Sequence, residues 1–284
     1  MIRVSEMDFT YEKSKKKAIK GINFNIEKGE IFGFLGPSGA GKTTTQRILI
    51  GLLRGYQGSV EIMGKERRML SKDFFENIGV AFDFPNLYQK LTAIENLKLI
   101  GSYYKNNCLN IDELLERVGL LGDKDKKVEG FSKGMKMRLN FIRSIMHDPE
   151  ILFFDEPTSG LDPINAKIVK DMIVELKERG KTVFLTTHNM TVAEQLCDRV
   201  AFIVDGGIPV IDRPDNLKLK YGKHTVKVKY VENNVLKKEE FPMDSISHNS
   251  NFFQILKSKN IKTIHSQEAT LEDIFIKLTG RELL

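Results

Sequence analysis

The sequence contains no apolar run approaching the roughly 18 residues that a membrane-spanning helix requires. Its longest candidates, such as Ile48 to Leu53, stop within two helical turns. The chain is therefore not expected to cross a bilayer by itself, and any part in transport would need separate membrane subunits. Met1 to Thr10 mixes charged with apolar residues, so no signal peptide is expected. Cysteine is scarce. Cys108 and Cys197 lie far apart, neither in a metal-type spacing, which fits two reduced thiols in a cytosolic protein. Excess charge is also small. The 44 Lys and Arg against 38 Asp and Glu leave a formal net charge of +6, spread along the chain. The cluster Lys15, Lys16, Lys17 reads as a solvated turn, so no nucleic-acid partner is expected. Internal repeats and low-complexity tracts are absent as well.

What is present is an ordinary globular composition, 41% hydrophobic and 29% charged. Length suggests one main domain of about 215 residues with a small appendix. Ile2 to Phe9 and Ala18 to Ile26 alternate like strands. Ile31 to Leu35 is a short apolar run of the buried-strand type. A glycine-rich loop follows, then a helix expected over 42–53, with Ile48, Leu49, Leu52 and Leu53 on one face and Gly55 ending it. From Asn86 to Asp148 the pattern is mostly helical. Thr92 to Glu95 has capping-box form, and helices are expected over 111–118 and 135–146. Beyond that, strands at 151–154, 183–186 and 200–204 alternate with helices at 166–179 and 192–197, which argues for a mostly parallel α/β sheet. After about Leu217 the character changes to a small α+β appendix. Strands are expected near 226–230 and 261–265, and helices near 252–257 and 271–278.

The most informative segment is Gly36-Pro37-Ser38-Gly39-Ala40-Gly41-Lys42-Thr43, followed by Thr44. It has the form glycine, four residues, Gly-Lys-Thr. Glycines let a backbone curl so that several N–H groups face one phosphate. The following helix adds its positive end. Lys42 supplies a full charge for the outer phosphates, and the Thr43 hydroxyl is a magnesium ligand. An apolar strand before the loop and a helix after it are the context this motif requires.

Asp155-Glu156 closes the apolar strand at 151–154. Two acids there are unfavourable unless something binds them. An exposed turn before Pro157 would also accommodate them, and the phosphate loop earlier in the chain decides for chemistry. Asp155 then holds magnesium and Glu156 activates water. His188 ends the strand after 183, where ligands bind in parallel sheets. The other four histidines read as surface or packing residues.

This set resembles the ABC (ATP-binding cassette) ATPases over roughly residues 1–217. Tyr11 is similar to the family's adenine-stacking aromatic. Residues 36–43 are its Walker A element, and Asp155 and Glu156 its Walker B. Phe131-Ser132-Lys133-Gly134-Met135 resembles the signature sequence, Ser159-Gly160-Leu161-Asp162 the D-loop, and His188 the switch histidine. The resemblance implies a P-loop NTPase (RecA-like) α/β core with an N-terminal antiparallel β subdomain, a helical insertion at about 86–148, and a C-terminal accessory α+β extension at 218–284. It implies ATP and magnesium as cofactors. It also implies head-to-tail pairing with a second such subunit, expected as a homodimer because both half-site contributions are present here, although a heterodimer stays open. In that pairing Ser132 and Gly134 would face the partner's nucleotide, with Asp162 among the nucleotide-binding residues. Transmembrane permease subunits would convert that pairing into transport, with this chain peripheral on the cytoplasmic side of the membrane. A soluble ABC ATPase acting on ribosomes or in assembly is the alternative.

Two positions depart from the family. The usual Leu-Ser-Gly-Gly-Gln has Lys133 for a glycine and Met135 for glutamine. The Phe-Ser-Lys-Gly-Met form resembles the drug, antibiotic and bacteriocin exporter branch. At the Q-loop, Asp83 stands where glutamine is usual. It is open to three readings: a magnesium-side ligand, a contact to a membrane subunit, or a side chain facing water.

Overall fold

A computed structural model of the chain describes all residues except 13, 70, 106, 107, 223, 268 and 281–284, and the side chains of all those described but 72 and 267. The chain divides into two compact units, the first ending at Asp212 and the second beginning at Arg213.

The first unit opens with the antiparallel strands β1 (Ile2–Thr10) and β2 (Lys17–Ile26). β3 (Ile31–Leu35) is buried at every position, as its unbroken apolar run requires. It leads through the glycine loop into α1 (Lys42–Leu49). β4 (Gln57–Ile62) pairs with β1, and the short β5 (Lys65–Glu66) pairs with β4, so the first sheet runs β2-β1-β4-β5. β6 (Ile78–Ala81) enters the sheet that contains β3, at its edge. Then come α2 (Ala93–Gly101), α3 (Ile111–Arg117) and α4 (Lys133–Ile145). Thr92 and Glu95 form the expected capping box. β7 (Ile151–Asp155), α5 (Pro163–Glu178), β8 (Thr182–Thr187), α6 (Met190–Leu196), β9 (Arg199–Val204) and β10 (Gly207–Asp212) complete the unit.

The second sheet has the order β10-β9-β3-β8-β7-β6. Five strands are parallel, and β10 is antiparallel at the edge. This is a P-loop NTPase fold with a β subdomain packed on it. Phe24 of the first sheet stacks on Phe32 of the second at 5.6 Å, and Phe34 lies 5.4 Å from Phe184. All four are buried in one continuous core.

Two expectations are corrected. α1 stops at Leu49 rather than near 53, and Leu52 is exposed. The stop is Gly51, at positive φ, and it is reinforced by Arg67. Its guanidinium donates to the carbonyls of Leu49 and Ile50 at 2.9 and 2.8 Å and fills the space above Gly51. That satisfies helix-end acceptors with a cation suited to the helix's negative end. The boundary expected at 217 falls inside α7 (Pro214–Tyr221), which belongs wholly to the second unit and packs on α9 (Leu271–Thr279).

The second unit also contains β11 (Thr225–Glu232), β12 (Val235–Pro242), α8 (Ser250–Ser258) and β13 (Asn260–Gln267). The three strands form the antiparallel sheet β12-β11-β13. Val226, Val228, Tyr230, Phe241, Phe252 and Ile255 are its core. No helix among the described residues is long and apolar enough to cross a membrane.

Candidate functional site

The parallel register sets the site. β8 lies between β3 and β7, with Leu35 opposite Thr187 and Asp155 opposite Thr186. The carboxyl ends of three adjacent strands therefore open on one place, where such sheets bind ligands. A cavity of about 410 Å³ lies there. Ser38, Gly39, Gly41, Lys42, Thr43 and Thr44 line it from the loop, and Asp83, Asp155, Glu156 and His188 from the other strand ends, together with Lys133 and Ser159.

The loop holds its curl because glycine occupies the positions that need it. Gly39 and Gly41 have φ of +75° and +118°. A β-carbon on Gly36 would lie 2.2 Å from the Ile203 carbonyl oxygen. Lys42 is 9% exposed. Its ammonium folds back over the loop and donates to the carbonyls of Gly36 at 2.6 Å and Pro37 at 3.0 Å. Burial lowers its pKa, and the charges of Glu156 and Asp155 partly restore it. Gly36, Pro37 and Ala40 form the back of the loop rather than the cavity wall. Tyr11 is half exposed and lies outside the cavity. Its hydroxyl is 2.9 Å from that of Thr44, and its ring meets Phe9 edge-on at 4.9 Å.

Asp155 is 3% exposed. It accepts from the Thr43 hydroxyl at 3.2 Å and from the Thr186 hydroxyl. Burial pushes its pKa up, the Thr186 hydrogen bond opposes that, and the nearby Asp83 carboxylate adds to the rise. Glu156 sits at φ +50°, a strained setting for a side-chain-bearing residue. There its carboxylate turns back toward β8. It accepts from the Thr187 hydroxyl at 2.8 Å and from the His188 backbone N–H at 2.8 Å, with the His188 Nδ1 at 2.5 Å.

Ser132 and Asp162 stand outside the cavity as helix caps. Ser132 accepts from Met135 N at 3.2 Å at the start of α4. Asp162 accepts from Ile164 N and Asn165 N at the start of α5. Gly134 packs near Leu161. The sequence reading did not assign the threonines 186 and 187, the hydroxyls that hold both acids. In a buried strand a threonine pair looks like ordinary β-propensity, and only the register across to Asp155 discloses the role. Ser159 and Lys133 likewise enter the cavity wall with no role assigned from their motifs.

Several oxygen ligands converge here, with Lys42 and Lys133, a helix start and the Glu156 carboxylate beside them. Among the described residues no cluster of three or more His, Cys, Asp or Glu is arranged to hold a metal. The Thr43–Asp155 pair suits an ion such as magnesium, which takes few protein oxygens and completes its shell with phosphate and water.

A family model described as ABC transporter matches residues 19–159, and one described as the fluoroquinolone efflux ABC transporter C-terminal domain matches 224–268. A fluoroquinolones export ATP-binding protein of Mycobacterium tuberculosis is 49% identical over 284 residues, covering 100% of this chain and 94% of the relative. The bacitracin transport ATP-binding protein of Bacillus licheniformis is 36% identical, covering 98% of this chain and 97% of that one. Among solved structures, a dimeric ATP-binding cassette in a post-hydrolysis state with ADP and Pi has a TM-score of 0.68 at 28% identity, covering 75% of this chain and 98% of the other. With a relative this similar over its full length, the chain belongs to the ABC transporter family as an ATP-binding, ATP-hydrolysing subunit.

Proposed function

We propose that this chain powers an exporter of fluoroquinolone-type antibiotics, docking on separate transmembrane subunits at the cytoplasmic face of the membrane and working as one of two like ATPase subunits. The cargo reading is supported by the 49% identical relative named for fluoroquinolone export and by the match over 224–268. The pairing reading is supported by the dimeric cassettes of the same fold.

The chemistry rests on one observation, the Glu156 carboxylate fixed by Thr187 and His188 beside the Thr43–Asp155 pair. The backbone amides at 38–43 and the start of α1 cradle the phosphates. Lys42 trades its loop carbonyls for phosphate oxygens. Thr43 and Asp155 would hold magnesium, which neutralises phosphate charge when bound. Glu156 orients a water and takes its proton as the water oxygen bonds to the γ-phosphorus and the bond to the bridging oxygen breaks. His188 holds Glu156 in place and faces the departing phosphate. Tyr11 offers its ring to adenine. Ser132, Gly134 and Asp162 serve the partner's nucleotide from the outer rim. Asp83 lines the cleft near Asp155, which supports the magnesium-side reading, while its exposure to solvent keeps the water-facing one open.

The test is Glu156→Gln in the complex with its membrane subunits. Turnover should fall by about 10²–10⁴-fold, the usual share of a general base, while ATP-bound pairs accumulate. Undiminished turnover refutes the catalytic assignment. Cargo is tested separately in proteoliposomes, where a fluoroquinolone should stimulate hydrolysis by the wild type.

A further inference from the structure

α4 packs directly on β6. A β-carbon on Gly79, within that strand, would stand 2.0 Å from the Ser144 carbonyl oxygen, so only glycine admits the helix there. One helical turn before Ser144, on the same face of α4, is Asn140. It is 1% exposed. A buried amide needs partners at both its ends. Its Nδ2 donates to the Phe82 carbonyl at 2.9 Å, and its Oδ1 accepts from the Arg143 guanidinium at 2.6 Å. The other arm of Arg143 donates to the Asn86 carbonyl.

These bonds fall on either side of an acid in the cleft. β6 ends at Ala81, and Asp83 follows two residues later. Asp83 lines the cavity with Asp155, close enough for its charge to push the Asp155 pKa up. The carbonyl that Asn140 holds belongs to the same peptide plane as the Asp83 nitrogen. Because a peptide is planar, fixing that carbonyl also sets the direction in which Asp83 leaves the sheet. Packing alone does not call for asparagine here. An apolar side chain would fill the space between α4 and β6 without the desolvation cost of an amide.

We infer that Asn140 is a positioning residue: by gripping the peptide between Phe82 and Asp83 from α4, it holds the Asp83 carboxylate in the nucleotide cleft. This rests on the magnesium-side reading of Asp83. Held there, the acid repels phosphate that arrives without a metal, and so makes ATP binding depend on magnesium.

The experiment measures ATP binding by the full-length chain in EDTA. Asp83→Asn is the reference, with metal-free binding tightened about fivefold, the scale of one screened charge at cleft distances. Asn140→Leu removes the grip and keeps the bulk. It should also tighten metal-free ATP binding, by about two- to fivefold, because Asp83 is released from the cleft. Structural damage alone would weaken binding instead. The double variant should bind no more tightly than Asp83→Asn, since both changes act through one charge. Asn140→Ala is measured alongside, with thermal melting of each variant, so that a failure of one to fold does not decide the outcome. Metal-free binding that is unchanged or weaker in a folded Asn140 variant overturns the inference, as does a double variant in which the two gains multiply. No gain in Asp83→Asn removes the magnesium-side reading of Asp83, and the inference falls with it. A wild type that binds no ATP in the presence of magnesium sinks the ATP-site reading itself, which is a different result.

Discussion

Replacing Asp155 by asparagine should make the nucleotide-free protein more stable at neutral pH while abolishing hydrolysis. The carboxylate is almost fully buried, and burial raises its pKa despite the opposing hydrogen bonds from Thr186 and Thr43. A raised carboxyl pKa means that the folded chain binds that proton more readily than the unfolded chain. Its contribution to stability is present below the unfolded pKa and is lost as pH rises through the folded one. At neutral pH the ionised group is therefore a liability. Taking one charge out of water costs several kcal/mol in a folded protein. Two hydroxyl donors return about 1.5–3 kcal/mol each. The two terms are of similar size, and the raised pKa puts the balance on the side of a deficit; a deficit of about 1 kcal/mol corresponds to about 2–4 °C in Tm for a domain of this size. In EDTA without nucleotide, thermal unfolding should show Asp155→Asn melting higher by that amount at neutral pH. The gap should close as pH falls through the raised pKa of the folded wild-type carboxyl and be gone below the ordinary carboxylate value of the unfolded chain. Magnesium and ATP should then stabilise the wild type by mass action and leave the variant behind. A variant that melts lower at neutral pH, or a gap independent of pH, refutes the reasoning.

Thr187→Val removes one of the groups that fix Glu156; kcat should fall about tenfold, equivalent to ~1.4 kcal/mol, with KM for ATP unchanged, and a parallel loss of ATP affinity would contradict the positioning role. Gly33→Ala puts a β-carbon 2.7 Å from Cys197 Sγ and 3.0 Å from Val200 Cγ1. Overpacking should lower stability by about 1–3 kcal/mol in urea titration, with Cys197→Ala in the same chain recovering much of it; no recovery means that the strain lies elsewhere. Stripping magnesium with EDTA should weaken ATP binding, because Asp83, Asp155 and Glu156 all line the cleft. Asp83→Asn should tighten metal-free ATP binding by about fivefold, the scale of one screened charge at cleft distances, and an unchanged affinity places Asp83 away from the phosphates.

The parts of this molecule that declare themselves in sequence are those whose cause is local. An all-apolar pentapeptide running into Gly36 to Thr43 fixes β3, the loop and the start of α1, because strand burial, glycine dihedrals and helix start all act within a few residues. The end of α1 is different. Its stop is Gly51, a local signal that the apolar face through Leu52 and Leu53 masks, while the reinforcing Arg67 lies 18 residues downstream of Leu49, where no local pattern reports it. β12 is equally silent, since Leu236-Lys237-Lys238-Glu239-Glu240 looks like a solvated stretch until pairing with β11 supplies its ladder. Edge strands tolerate such charge by design. Within the site, Lys42, Asp155, Glu156 and His188 were legible as types that carry chemistry. Thr186 and Thr187 were not, because a hydroxyl acquires its role only from the strand register.

That register also explains how the cleft keeps its charges available. Lys42 lies close enough to Asp155 and Glu156 to feel both, yet among the described residues it makes no ion pair. Its ammonium rests on two neutral carbonyls. The acids rest mainly on neutral donors, with Asp155 on two hydroxyls and Glu156 on a hydroxyl and a backbone N–H beside His188. Direct pairing of Lys42 with either acid would satisfy the empty site and would have to be broken by every incoming nucleotide. Neutral partners hold each charged group in position without cancelling it, so the field is already oriented when phosphate and metal arrive. Preorganised charge of this kind lowers a barrier without reorganising during the reaction. Its consequence is the destabilised empty state that the Asp155→Asn melting curve measures.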